Sequence, residues 1–255
     1  MERLTHHRRT TAYRRRGTGD GPGLLCLHGS GGSRDVWRAQ FRLADATGVA
    51  ALDLSGHGDS GDVDSEPGYE TLAAYADDAV AVAREVDARV LVGNSLGGAV
   101  ALTVALERDL DLAGLVLTGT GARLAVLDDL LDWLDDDFDR AVEFLHAPDR
   151  LFHDADEALV EASTAAMYDV GRAVTRRDFR TCHGFDVRDR LDEVTVPTLA
   201  VVGEYDQLTP PWYHEYLADE LPACSYAEIP DAAHLAMLER PAAFNERVRE
   251  FLDGL

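Results

Sequence analysis

Lysine is absent from this chain of 255 residues, so all 24 basic residues are arginine, against 47 aspartates and glutamates. The formal net charge at neutral pH is -23. Because phosphate binding needs a basic face, this balance argues against a nucleic-acid partner. An acidic surface repels itself at low ionic strength, and salt at about 1 M shortens the screening length to roughly 3 Å. The composition therefore predicts a halophilic protein; an acidic, arginine-biased protein from an ordinary cell is the alternative.

Long apolar runs and cysteines are also scarce. No apolar run approaches the roughly 18 residues that a membrane span needs, and the basic N-terminal segment has no apolar stretch behind it. We therefore expect no membrane association, no secretory signal and a cytoplasmic location. The three cysteines, Cys26, Cys182 and Cys224, are far apart and lack CxxC or CxxH spacing. This argues against a disulfide framework and a zinc site.

Short apolar runs that alternate with helical patterns predict the fold. Six of these runs end in, or are followed directly by, glycine, polar or acidic residues: GLLCLHG, VAALDLSGHG, RVLVGNS, LAGLVLTGTG, PTLAVVGEYD and CSYAEIP. Runs rich in Val, Leu and Ile are typical of buried parallel strands, and the intervening helices supply the crossovers. The sequence therefore predicts an α/β fold with a doubly wound, mostly parallel sheet.

The stretch from 122 to 186 interrupts this alternation. Its segment DDLLDWLDDDFDRAVEFL places apolar residues such as Leu130 and Leu134 at helical spacing, with aspartates on the other face. We therefore predict a helical insertion over 122–186, between the two parts of a core made of 1–121 and 187–255. The aspartate run could suggest a metal site, but a solvated helix face explains it more simply, so we predict no metal.

One serine stands among glycines at the end of a predicted strand, in VLVGNSLGG. Ser95 is the centre of the pattern Gly93-x-Ser95-x-Gly97, in which a strand turns so sharply into a helix that the flanking positions must lack side chains. The strained turn exposes the serine Oγ as a nucleophile, and it leaves the Leu96 N–H at a helix N-terminus, where it can donate to an oxyanion. A turn that merely needs small residues is the alternative.

A serine hydroxyl needs a base to take its proton and an acid to orient that base. Among nine histidines, His234 alone occupies a loop after the last predicted strand. Asp206 ends the preceding strand, Glu204 is its nearest rival, and Asp231 is better explained as a turn former. The order Ser95, Asp206, His234 is the order in which this kind of sheet builds a triad.

A glycine-rich loop, HGSGGS, follows the first predicted strand of the core. Its glycines allow backbone N–H groups to approach a ligand closely. We predict that the Ser30 N–H is the second oxyanion donor, with Gly31 as the alternative. The loop lacks the GKS and GxGxxG patterns of phosphate loops, so we predict neither nucleotide binding nor another cofactor.

Together, these motifs resemble the α/β-hydrolase superfamily: HGSGGSRDVW, DLSGHGDS, GNSLGGAVAL, GEYDQLTP and AAHLAMLERPAAFN follow one another in the family's order. The resemblance implies a triad and an oxyanion hole made of Ser95, Asp206, His234, Ser30 and Leu96. It also implies that the helical insertion covers the active site and that His28 is structural.

The resemblance implies a serine hydrolase that cleaves a small ester, thioester or lactone through an acyl-enzyme on Ser95. GNS followed by Leu-Gly-Gly is also similar to the carbon–carbon hydrolases of ring-fission products. Those enzymes usually carry a proline in the oxyanion loop and a tryptophan after the histidine, where this chain has Leu235. A carbon–carbon hydrolase therefore remains an alternative, level with an enol-lactone hydrolase. A ligand-sensing protein that kept the fold and triad is the alternative from another class.

Four residues are predicted to contact the substrate: Asn94, Leu235, Trp133 and Phe138. The first two flank the nucleophile and the base, and the aromatic pair belongs to the insertion. Aromatic residues at helical spacing more often serve packing, which is the competing interpretation. The expected partner is a small molecule, and the sequence leaves the oligomeric state open.

Overall fold

The computed structural model describes residues 1–17 and 21–255. In these residues the β-strands are β1 (Glu2–His6), β2 (Arg9–Arg16), β3 (Gly23–Leu27), β4 (Val49–Leu52), β5 (Ala88–Asn94), β6 (Gly114–Thr118), β7 (Thr198–Gly203) and β8 (Cys224–Ile229). They form one sheet in the order β1-β2-β4-β3-β5-β6-β7-β8. From β4 to β8 all neighbours are parallel, whereas β2 is antiparallel to both β1 and β4. This confirms the predicted α/β fold with its mostly parallel sheet.

Helices connect these strands. In the same described residues the α-helices are α1 (Tyr69–Val86), α2 (Leu96–Glu107), α3 (Asp128–Asp136), α4 (Phe138–Leu145), α5 (Glu157–Val170), α6 (Arg172–His183), α7 (Pro211–Glu220), α8 (Ala236–Glu239) and α9 (Pro241–Leu252). None of them combines the length and the apolar character that a membrane crossing requires.

The central strands are buried on both faces of the sheet. Every residue of β4, β6 and β7 is buried, as expected when helices cover both sides of a parallel sheet. Along β5, Leu91 packs on one side with Tyr75, while Val90 packs on the other with Trp37 and Phe244. Each such side chain stabilises the fold by roughly 1.5–3 kcal/mol. The strand ends that carry the candidate site are therefore held by a rigid core.

The helices α3 to α6 all lie between β6 and β7, within the stretch where the sequence predicts an insertion. The two ends of this stretch meet in a short antiparallel bridge between Arg123 and Asp186. Backbone hydrogen bonds from Leu124 to Phe185 and from Val187 to Ala122 flank that bridge. The helical segment α3–α6 therefore leaves and re-enters the sheet at one point.

Candidate active site

Ser95 lies at the turn between β5 and α2 in a strained backbone conformation, with φ 55° and ψ -117°. A residue other than glycine in such a region costs on the order of 1–3 kcal/mol, so the surroundings must enforce it. The Ser95 N–H donates to the Thr118 carbonyl over 3.0 Å, and the Ser95 carbonyl accepts from Gly98 over 2.9 Å. The turn is thus fixed from both β6 and α2.

Close backbone packing explains the glycines around this serine. A Cβ at Gly93 would overlap the carbonyl group of Gly97. A Cβ at Gly97 would overlap the Leu27 carbonyl oxygen, which ends the neighbouring strand β3. The close contact between β5 and α2 therefore explains Gly93, and the close contact between α2 and β3 explains Gly97.

Asp206 and His234 lie in the loops after β7 and β8 and are joined by a hydrogen bond of 2.9 Å between Oδ2 and Nδ1. Both side chains are buried. The other carboxylate oxygen of Asp206 accepts from the Leu208 and Thr209 N–H groups, and the Thr209 hydroxyl donates to Oδ2. Burial opposes the charged form, but the neighbouring histidine and these donors outweigh it and lower the pKa of Asp206.

Glu204 and Asp231 lie away from this pair. The Glu204 side chain is exposed and its Oε2 accepts from the Asp231 N–H over 3.2 Å. Asp231 itself has a positive φ of 53°, which is typical of a turn. The two acidic rivals therefore fix one turn together.

Ser95 and His234 line the same cavity, although in the described residues the Ser95 hydroxyl makes no hydrogen bond. Catalytic hydrogen bonds are often long without a substrate and tighten when one binds. Gly119, with φ 53°, leaves space beside the histidine ring, because a Cβ there would come within 3.1 Å of His234 Cε1.

Asn94 lines this cavity too, but its amide is engaged with the backbone. Its Nδ2 donates to the carbonyls of Thr118 and His234, each over 3.3 Å. The side chain is 1% exposed. Asn94 therefore links the end of β5 to the loop that carries the histidine.

Near Ser95, the backbone N–H groups of Leu96 and Ser30 are without an acceptor in the described part of the chain. The first is at the start of α2, where no intrahelical partner exists. The Gly31 N–H, the alternative donor, points to Asp178 Oδ2 over 3.4 Å. This arrangement leaves the Ser30 N–H available and engages that of Gly31.

His28 fixes the start of the same loop. Its Nδ1 lies 2.8 Å from the Gly29 carbonyl oxygen, and its Nε2 accepts from the Leu54 N–H over 3.0 Å. Burial lowers the pKa of His28 well below its usual value, so the ring is neutral. It therefore ties the ends of β3 and β4 together.

Sequence reasoning missed a buried polar cluster next to this loop. Asp178 of α6 accepts from the Tyr75 hydroxyl over 2.7 Å through Oδ1, and its Oδ2 lies 2.9 Å from His57 Nε2. All three side chains are fully buried. Burial opposes the charged form of His57, but Asp178 outweighs it and raises its pKa. The block DLSGHGDS contains His57, but it does not identify the partners of this histidine.

A second missed carboxylate supports the loop of His234. Glu239, at the end of α8, is 9% exposed. Its Oε1 accepts from the N–H groups of His153 and Asp154 over 2.9 and 3.0 Å, and its Oε2 accepts from the Ala233 N–H over 2.7 Å. One carboxylate therefore joins the segment between α4 and α5 to the residue before the histidine.

The backbone of that segment reinforces the same contact. The His234 N–H donates to the Arg150 carbonyl over 3.1 Å, and the Leu235 N–H donates to the Leu151 carbonyl over 3.0 Å. Residues 150–154 thus run beside the histidine loop and bond to it at consecutive positions.

A cavity of about 380 Å³ opens beside these groups, which is within the usual size range of small-molecule sites. Most of its wall is apolar. A large part comes from residues 122–186, namely Leu124, Leu130, Phe144, Leu151, Leu159, Met167 and Phe179, and Leu235 of the histidine loop also lines it. Trp133 and Phe138, predicted as substrate contacts, lie outside this lining. Trp133 packs against Phe144, and Phe138 against Tyr168, so these aromatic rings stabilise helix packing instead.

The aspartate-rich helix α3 forms a surface ion-pair cluster. Asp135 pairs with both Arg176 and Arg180 of α6, while Leu130 and Leu134 are buried. Across residues 1–17 and 21–255, no group of three or more His, Cys, Asp or Glu side chains is placed to hold a metal ion.

The chain is similar to known hydrolases in sequence and in structure. The model of the family described as "Alpha/beta hydrolase family" matches residues 24–247. The chain is 31% identical over 262 positions to the pimeloyl-(acyl-carrier protein) methyl ester esterase of Neisseria meningitidis serogroup B, with 91% of this chain and 93% of the relative covered. It is also similar to the solved structure of a thermophilic esterase, with 30% identity, a TM-score of 0.86 and coverage of 99% and 97%. An N-acyl homoserine lactone degrading enzyme has 25% identity, a TM-score of 0.83 and coverage of 98% and 100%.

Proposed function

The chain belongs to the alpha/beta hydrolase family, and from this membership and the geometry of its site we propose that it hydrolyses small carboxylic esters, thioesters or lactones through an acyl-enzyme on Ser95. One observation carries the proposal. Ser95 stands at a strained turn on a cavity that also contains the end of the buried Asp206–His234 pair. This arrangement supports the roles of nucleophile, base and orienting acid for Ser95, His234 and Asp206.

The mechanism follows from the hydrogen bonds. Because Asp206 holds Nδ1 of His234, Nε2 is the nitrogen that takes the proton from Ser95 as its oxygen attacks the carbonyl carbon. The N–H groups of Leu96 and Ser30 stabilise the negative charge on the carbonyl oxygen, and loss of one such donor costs about 10²–10³ in kcat. The protonated histidine then gives its proton to the leaving alcohol, thiol or lactone oxygen. Water, activated by the same histidine, releases the acyl group.

The cavity lining supports an uncharged, apolar acyl group as the preferred substrate part. Apart from His234, the described residues of the lining include two with ionisable acidic or basic side chains, Asp35 and Arg38. Both of these side chains are exposed. The relatives named as esterases and as a lactone-degrading enzyme support esters and lactones as the substrate class.

We also propose that residues 122–186 act as a cap and that 1–121 and 187–255 form the catalytic core. The apolar wall that α3–α6 give to the cavity supports this division. The acidic composition supports a salt-rich cytoplasm as the working environment.

Turnover assays test the proposed function, and the covalent labelling described below tests the nucleophile. The wild type should hydrolyse p-nitrophenyl esters over many turnovers, whereas a ligand sensor would give one burst or none. Ser95→Ala should lose at least about 10³ in kcat. A panel of acyl esters, thioesters, lactones and ring-fission diketones of graded length then ranks the substrate classes, including the carbon–carbon hydrolase alternative.

A second serine in the same cavity provides a matched control. Ser163 Oγ lies 3.0 Å from His146 Nε2, so it is a serine beside a histidine at the same cavity. A fluorophosphonate probe should label the wild type and Ser163→Ala but fail to label Ser95→Ala. Labelling that persists in Ser95→Ala and disappears in Ser163→Ala would instead identify the second pair as the nucleophile.

A further inference from the structure

One face of α6 covers the loop that carries the proposed oxyanion donor. Thr175, Asp178 and Cys182 follow one another at the spacing of a single helix face. The Cys182 Sγ lies 3.7 Å from the Ser30 hydroxyl, and Asp178 Oδ2 lies 3.4 Å from the Gly31 nitrogen. Helix α6 therefore contacts this loop at two consecutive residues.

The Asp178 carboxylate is held rigidly by groups from separate parts of the core. Tyr75 of α1 donates to one oxygen, and His57 of the loop after β4 is bonded to the other. A buried carboxylate is tolerated when its oxygens are hydrogen-bonded, and here both oxygens have partners from the core. Asp178 is thus a fixed acceptor at the oxyanion loop.

We propose that Asp178, assisted by Cys182 one turn later, is a positioning residue for the oxyanion hole. By accepting the Gly31 N–H, it sets the orientation of the loop so that the Ser30 N–H is the donor left for the carbonyl oxygen of the substrate. The inference rests on the proposed function. It extends that function, because it gives the helical segment a role in transition-state stabilisation as well as in binding the acyl group.

Asp178→Asn tests this role with little change in volume. The amide offers one acceptor oxygen where the carboxylate offered two, so the contacts to Tyr75, His57 and Gly31 can no longer all be made. We expect kcat to fall about 10- to 100-fold, the size of effect that a misplaced or lost oxyanion donor produces. KM should stay within about threefold of the wild type, because the apolar walls are unchanged.

Asp135→Asn is the matched control. It weakens the ion pairs of α3 with Arg176 and Arg180 of the same helix α6, while leaving the residues that face the oxyanion loop in place. Its kcat should remain near that of the wild type. Three results would overturn the inference. They are a kcat of Asp178→Asn within threefold of the wild type, an equal fall of kcat in Asp135→Asn, and a change in kcat/KM that comes from KM alone.

Cys182→Ala keeps the proposal testable if Asp178→Asn does not fold. It removes the contact with the Ser30 hydroxyl and should lower kcat by a few-fold. Because Cys182 also lines the cavity, KM is expected to change as well, so kcat is the readout, and an unchanged kcat contradicts the proposal. Assays of the wild type distinguish a failure of the proposed function from a failure of the positioning role of Asp178. Absence of ester turnover and of Ser95 labelling in the wild type refutes the proposed function itself, whereas full activity in a folded Asp178→Asn enzyme refutes the positioning role alone.

Discussion

Glu239→Gln should destabilise the protein and slow catalysis through the same lost contact. The carboxylate uses one oxygen for the N–H groups of His153 and Asp154 and the other for the Ala233 N–H. Glutamine has one acceptor oxygen and one NH₂ group, so at least one buried N–H would face a donor. A hydrogen bond to a charged group contributes about 1.5–3 kcal/mol, and an unpaired buried donor costs about 1–3 kcal/mol. We expect the free energy of unfolding to fall by about 3 kcal/mol, which a protein with the usual 5–15 kcal/mol survives.

The activity should fall as well, because Ala233 precedes the proposed base. We expect kcat to drop about 10-fold with little change in KM, since a small displacement of a catalytic group is costly. Urea unfolding at fixed salt and steady-state ester hydrolysis measure the two effects. Glu228→Gln, at an exposed position on β8, removes the same charge and serves as the control. Unfolding of Glu239→Gln within about 0.5 kcal/mol of this control would show that the three N–H contacts contribute little.

Three other predictions follow from the site and the charge. Asp206→Asn should lower kcat by about 10³–10⁴, because an amide at this position favours the wrong histidine tautomer; retention of most ester turnover would contradict the assigned role. Burial lowers the pKa of His214 to about 4, while the Thr120 N–H donates to its Nε2. Because the unfolded histidine binds its proton near pH 6.5, the stability from this residue is complete above that pH and is lost towards pH 4, by about 3 kcal/mol; urea unfolding of His214→Gln should show a flatter profile in that window. Raising KCl from about 0.1 to 2 M should raise Tm, since screening relieves the repulsion of 23 net negative charges, and a higher Tm at low salt would refute the halophilic interpretation.

The fold was predictable because the signals are local. A buried parallel strand followed by an amphipathic helix leaves its pattern in consecutive residues, and the turn at Ser95 requires glycines at fixed offsets. The antiparallel hairpin β1–β2 was not predicted. Its strands are rich in charged and polar residues, and much of it is only half buried, so the apolar signal is weak.

The supporting residues of the site were not predictable in the same way. Asp178 and His57 are separated by 121 positions, and Glu239 and His153 by 86, so no sequence periodicity links them. Buried polar partners are selected by the tertiary packing, which the sequence pattern does not specify. The same limit explains why Trp133 and Phe138 were predicted to contact the substrate but pack against other rings. Helical spacing indicates an apolar face, but it does not say whether a cavity or another ring lies against that face.

The contacts of residues 150–154 with the histidine loop have a consequence for engineering. Replacing the whole helical segment with that of a relative would exchange the apolar wall of the cavity and at the same time remove contacts that hold the loops of His234 and Gly31. A graft limited to α3, α4 and α5, with residues 149–154 and α6 retained, would alter the wall alone. We therefore expect chimaeras that exchange only these three helices to fold and to change substrate preference more readily than chimaeras that exchange the whole of 122–186.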